Sequence, residues 1–129
     1  MQLPFLQRLF DGCTLVPVVC GGVGAGEVAD VLDSAVEIER DLVVVSTDLS
    51  HHLDHDAASR RDRATAEAVL RLDAGAIGSR DACGAVPLRG LLAWARRQGL
   101  AASLLDRRTS GDTAGSRRQV VGYGAFRFD

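Results

Sequence analysis

Two rhythms of apolar residues alternate along the chain. Leu3 to Phe10 carries them at 3, 5, 6, 9 and 10, a spacing that predicts a short helix rather than strand alternation. Asp11-Gly12 ends it, and Thr14 to Cys20 (TLVPVVC) is then an unbroken, β-branched run of the kind buried on both faces of a parallel sheet. Pro17 has no amide donor, so this strand is expected to be bulged, short or at an edge. A glycine-rich turn, Gly21 to Gly26 (GGVGAG), leads into Glu27 to Glu39, whose apolar residues at 28, 31, 32, 35, 36 and 38 predict an amphipathic helix. Leu42 to Ser46 (LVVVS) is a second buried-type run. Strand, turn, helix and strand at this spacing predict a βαβ unit with parallel pairing and a right-handed crossover.

The rhythm is helical again from about Ala57 to Asp73, with Asp54 or Asp56 available as N-cap. Gly75 and Gly78 make Ala74 to Arg80 a loop or a short broken helix. A further helix is expected from about Pro87 to Gln98, with proline in its first turn, Gly99 past its end, and Leu88, Leu91, Leu92 and Ala95 on one buried face. Ala101 to Leu105 and Gln119 to Phe128 (QVVGYGAFRF) read as a third and a fourth strand, separated by the arginine-rich polar loop Arg107 to Arg118. The fold class is therefore α/β, a mostly parallel or mixed sheet flanked by helices, in one domain over residues 1–129.

Composition narrows the function. The chain has 129 residues, 47% hydrophobic and 25% charged, enough for a core that needs no disulfide or metal staple. A net charge of −2 argues against nucleic acid as partner, and no apolar run approaches the ~18 residues of a membrane span. Three cysteines, an odd number, and no signal-peptide pattern suit a reducing cytoplasm, so Cys13, Cys20 and Cys83 are expected as thiols, the first two in the core. All fifteen basic residues are arginine, which removes a Schiff-base lysine, a P-loop lysine and a lysine general base.

In open α/β sheets ligands gather beyond the carboxyl ends of strands, which directs attention to Gly21–Gly26 and to Asp48–Asp56. The glycines at 22, 24 and 26 match a dinucleotide fingerprint only in part, and a turn for close helix–strand packing is the simpler reading. Thr47 to Asp56 (TDLSHHLDHD) gathers all three histidines and three carboxylates within ten residues. Imidazoles oriented by carboxylates could serve as a general base or as metal ligands; a solvated loop capping the next helix is the alternative, and the better one for His52 and His55. Cys83 stands four residues before Pro87, near a helix start where aligned peptide dipoles favour an anionic sulfur. No G-x-S-x-G elbow surrounds Ser46 or Ser110, which leaves hydrolysis a distant third.

In order along the chain, QLPFL (Gln2 to Leu6), VVVSTDLSHH (Val43 to His52), RRDRATAEAVL (Arg60 to Leu70), ACGAVPLRGLL (Ala82 to Leu92), TSGDTAG (Thr109 to Gly115) and VVGYGAF (Val120 to Phe126) resemble the Memo family. The nearest subgroup is the AmmeMemoRadiSam system protein B. The resemblance implies a three-layer fold like that of the LigB-like class III extradiol dioxygenases, and a pocket of two histidines and a cysteine associated with iron or copper. It places Cys83 on the metal-binding cysteine, His51 on the acid–base histidine and Asp48 on the acidic residue of the same motif. It also implies radical-SAM and AMMECR-type companion proteins.

The family's two ligand histidines lie in an H-S-x-E-x stretch directly ahead of the QLPFL segment and further upstream, and neither has a counterpart in this sequence. The resemblance thus covers a C-terminal half, truncated at its N-terminus. Either a fragmentary gene or a late start shortens the chain, or the other half is a separate polypeptide; self-association is the expectation for this half alone. The leading expectation is metal-associated redox or dioxygenase-like chemistry, with Cys83 as ligand, His51 moving a proton and Asp48 orienting it. The rivals are a nucleotide-binding module built on Gly21–Gly26 and a non-catalytic peptide or protein interaction module.

Overall fold

The carboxyl-terminal apolar run organises the molecule. The computed structural model describes residues 2–10, 12–113 and 115–129; Met1, Asp11 of the expected helix break and Ala114 of the TSGDTAG motif lie outside them. Helix α1 (Leu3–Leu9) and helix α2 (Ala25–Ala35) are followed by a short strand β1 (His51–Leu53), then α3 (His55–Leu70), α4 (Ala85–Arg97), and the long strands β2 (Ala102–Thr109) and β3 (Val120–Phe128). Single 3₁₀ turns at Ala74–Ala76 and Ser110–Asp112 fill two of the connections. β3 is the middle strand of the order β1-β3-β2, antiparallel to both neighbours. Its even-numbered residues from Val120 to Phe128 turn inward, while Tyr123, Ala125 and Arg127 are exposed, the alternation of a half-buried antiparallel strand.

Phe126 and Phe128 carry that inner face into a core made by Val69 of α3, Ile77, Ala82, and Leu88 and Leu92 of α4. A second cluster joins Ala29 of α2 to Leu91 and Trp94 of α4, with Val43, Val45 and Phe128 against it. The approach of α2 to α4 depends on Gly90, where any Cβ would collide with the Val28 side chain. Arg97 clamps the same pair from outside, 2.7 Å from Asp30 and 2.8 Å from Asp33.

The α/β class holds, and the expected helices stand within a few residues of their places, Asp54 rather than Asp56 capping α3 through the Ala57 N–H at 2.9 Å. The third strand runs four residues past Leu105, to Thr109. The parallel βαβ unit does not form among the described residues. Neither Thr14–Cys20 nor Leu42–Ser46 is paired in a ladder, and the sheet is antiparallel throughout. A β-branched run becomes a strand only when it pairs with a neighbouring strand, and neither run does so among the described residues. Leu42–Ser46 still alternates, with Val43 and Val45 half-buried on the core and Leu42 and Val44 exposed. Leu15, Val16, Val18 and Val19 are all exposed, and Cys13 is exposed and Cys20 only half-buried, contrary to their expected place in the core. No helix among the described residues is long and apolar enough to cross a membrane.

Candidate metal site

The polar stretch after Leu42–Ser46 owes its position to the middle strand. Leu49 donates its N–H to Gly122 O at 2.9 Å, and Gly122 returns its own N–H to Ser50 O at 2.8 Å. Leu49 and Ser50 are buried, so the flanking residues Asp48 and His51 are presented from a fixed backbone while remaining half-exposed. β1 continues this pairing from His51, opposite Val121, to Leu53, opposite Val120, with His52 as the extra residue of a bulge at φ 59°. The bulge turns the His52 ring into solvent.

Cys83 approaches from the other side, one residue before Gly84, the N-cap of α4. Two reciprocal bonds stitch the segments together. Cys83 N–H donates to Asp48 O at 3.2 Å, and Asp48 N–H donates to Cys83 Sγ at 3.3 Å. Thr47 completes the join, its Oγ1 accepting the Gly84 N–H at 2.7 Å and lying 3.4 Å from Cys83 Sγ. Gly84 has to be glycine, because a Cβ there would come within 2.8 Å of Thr47 Cβ.

These contacts bring one ligand atom each of Asp48, His51 and Cys83 within 4.8 Å of one another. His51 Nε2 is 3.5 Å from Asp48 Oδ2, an electrostatic contact rather than a hydrogen bond. A carboxylate, an imidazole and a thiol are a mixed hard and soft donor set of the kind that iron, copper and zinc accept, and their separation suits one ion.

His55 does different work. Lying in the first turn of α3, its Nε2 is 2.7 Å from Asp112 Oδ1 and its Nδ1 3.3 Å from Asp56 Oδ1. Those two carboxylates, Asp112 first, raise the His55 pKa above its usual 6.5. Asp112 is held well below the ordinary carboxylate range by the Thr109 N–H, then by His55 and the Thr109 hydroxyl. The pair ties the turn before β3 to the start of α3 and stands outside the Asp48 cluster.

The glycine-rich turn is a helix start: Glu27 Oε2 accepts the Gly24 N–H at 2.8 Å, setting a carboxylate where a phosphate would have to approach the end of α2. Of the residues singled out in the sequence, Asp48, His51 and Cys83 are thus brought together, and His52, His55 and Gly21–Gly26 are not. Neither Thr47 nor Gly84 carries a signal of its own in the sequence; their importance lies in a contact across 37 positions of sequence that no local pattern shows.

The family profile described as Memo-like protein matches residues 1–127. A MEMO1 family protein of Methanopyrus kandleri is 36% identical over 141 residues, covering 99% of this chain and 50% of that protein. One from Saccharolobus solfataricus is 34% identical over 142 residues with the same shares, and one from Desulfurococcus amylolyticus 29% identical over 140 residues. The chain spans half the length of these curated relatives. No solved structure matches it significantly. A match of this extent, on the segments that build the Asp48, His51 and Cys83 cluster, shows that the chain belongs to the Memo family.

Proposed function

We propose that Asp48, His51 and Cys83 form part of a metal centre, taking iron or copper, that serves redox or dioxygenase-like chemistry. The observation that carries this reading is the convergence of three unlike donor atoms within 4.8 Å at a helix start and a strand start. Cys83 Sγ is the anionic ligand, already oriented by the Asp48 N–H. A metal bound there would supply Lewis acidity and a route for electrons. His51, beside it and half-exposed, takes up or releases a proton at an imidazole nitrogen, and Asp48 orients the ring and balances its charge when protonated.

With Cys83 as the one ligand among these three, about two further ligands are needed for tight binding, since a catalytic iron or zinc usually takes about three protein ligands with a coordination position left open. We propose that they come from polypeptide equivalent to the other half of the relatives, which would also cover the exposed apolar residues Leu15 to Val19. The test is metal content after anaerobic loading with Fe²⁺ or Cu⁺ and desalting, on protein made with the coding sequence immediately upstream included. Stoichiometric metal that is lost in Cys83→Ala and weakened in His51→Ala supports the reading. Absence of retained metal, or equal retention in Cys83→Ala, refutes it.

A further inference from the structure

Behind the cluster lies a carboxylate that no ion pair explains. Asp62, in the middle of α3, is 0% exposed, and its Oδ1 accepts the N–H of Ser50, also 0% exposed, at 3.0 Å. Among the described residues its Oδ2 has no hydrogen-bond partner, nor has the Ser50 hydroxyl. Gly122 of β3 lies so close to the carboxylate that any Cβ on it would overlap the Asp62 side chain. A carboxyl group in such surroundings is costly, and an apolar residue of the same size would pack there at lower cost. What Asp62 provides in return is a hydrogen bond that the sheet cannot give.

The backbone groups of Leu49 and Ser50 show why. β3 satisfies Leu49 N–H and Ser50 O through Gly122, but Ser50 N–H turns away from β3 and towards α3. Asp62 meets it and fixes the two-residue segment from the opposite side. Asp48 and His51 are the residues at either end of that segment, so its backbone sets the separation of the carboxylate and imidazole and the placement of the Asp48 N–H on Cys83 Sγ.

We infer that Asp62 is the positioning residue of the site, holding Leu49–Ser50 so that Asp48, His51 and Cys83 converge. The inference rests on the reading of those three residues as a metal centre, and its test separates the two. Amide hydrogen exchange and Co²⁺ titration are compared in the wild-type protein and in Asp62→Asn, Asp62→Ala and Asp62→Ser, produced as for the metal assay. Asp62→Ala should expose the Ser50 amide to roughly tenfold faster exchange and lower Co²⁺ affinity by about 10- to 100-fold, the usual effect of losing a group that orients a ligand. The Asp48 amide, whose partner is the Cys83 sulfur, should lose protection with it. Asp62→Asn keeps an acceptor for Ser50 and should stay near wild type in all three readouts.

A folded Asp62→Ala protein whose Asp48 amide and Co²⁺ affinity are unchanged overturns the inference, leaving Asp62 a core group only; so does an Asp62→Asn protein as impaired as Asp62→Ala. Should Asp62→Ala fail to fold, Asp62→Ser decides by the same criteria, its hydroxyl being too short to reach Ser50. If the wild-type protein takes up no Co²⁺, the metal reading falls alone, and exchange at Asp48 decides the positioning role.

Discussion

Thr14–Cys20 and Val120–Phe128 are both largely apolar, strand-like runs, and they stand in opposite surroundings. Val19 is 96% exposed and Val120 is 2% exposed. The later run has β1 and β2 on its two sides and α3 and α4 across its inner face, so each residue that turns inward finds a neighbour. The earlier run has none of these among the described residues, and Pro17 removes one of its donors. Apolar β-branched sequence creates a demand for burial, and only the supply of edges and faces turns that demand into a strand. The candidate site belongs entirely to the supplied region. Asp48 and His51 are held by Gly122 and Asp62, and Cys83 by the start of α4.

The sharpest way to break this comparison is a methyl group in each region. Gly122→Ala sets a Cβ against the Asp62 carboxylate, where neither the middle strand nor the buried side chain can give way, and should cost about 3 kcal/mol of stability in urea unfolding. Gly21 has nothing within 4 Å of a Cβ, so Gly21→Ala should change stability by no more than about 0.5 kcal/mol. Comparable losses at both positions would mean that the glycine-rich turn is packed in solution and that the contrast is false.

A smaller effect is expected from removing methyls rather than adding them. Val120→Ala deletes buried groups beside α3 and should cost about 2 kcal/mol, whereas Val19→Ala should cost close to nothing. The pair also tests the covering partner. Addition of polypeptide equivalent to the other half of a relative should slow amide exchange at residues 15–19 and make Val19→Ala costly; exchange that stays fast would remove that partner from consideration.

The same contrast explains what could be read from the sequence. Helices were legible because their signals are local: Asp54 as cap, Pro87 and Gly99 at the ends of α4, and the apolar stripe Leu88, Leu91, Leu92 and Ala95. The strand β3 was legible because the run from Gln119 to Phe128 is long and rich in residues that favour strands. The parallel βαβ expectation failed because it assumed that two apolar runs would pair, a property of partners and not of the runs. Thr47–Asp56 and Cys83 drew attention to Asp48, His51 and Cys83, with the family resemblance raising Cys83 and His51 above their neighbours, and the fold brings those three side chains together. The groups that hold them were not. Asp62 looks like one more charged residue on an arginine-rich helix, and Gly122 like one of two glycines in a strand. Their roles exist only once α3 crosses β3.

The finest test concerns the tether at the start of β3. His55 and Asp112 pull each other's titration in opposite directions: the Asp112 and Asp56 carboxylates raise His55, while the Thr109 N–H and the His55 ring lower Asp112. A histidine raised in the folded state contributes stability that is complete below its unfolded value of 6.5 and is lost as pH rises through the higher folded value. A carboxylate lowered in the folded state contributes stability that is present above its unfolded value of 3.8 and is lost as pH falls towards the folded one. The tether is therefore tightest between those two unfolded values, and above the folded pKa of His55 the turn at Ser110–Asp112 should loosen. Ser110 Oγ accepts the Val121 N–H at 3.1 Å, so loosening should appear as faster exchange of the Val121 amide beyond the intrinsic effect of base. Residues 15–19, which touch neither group, should show the intrinsic effect alone. His55→Gln should abolish the extra pH dependence at Val121; its persistence in that variant would assign the loosening to some other group.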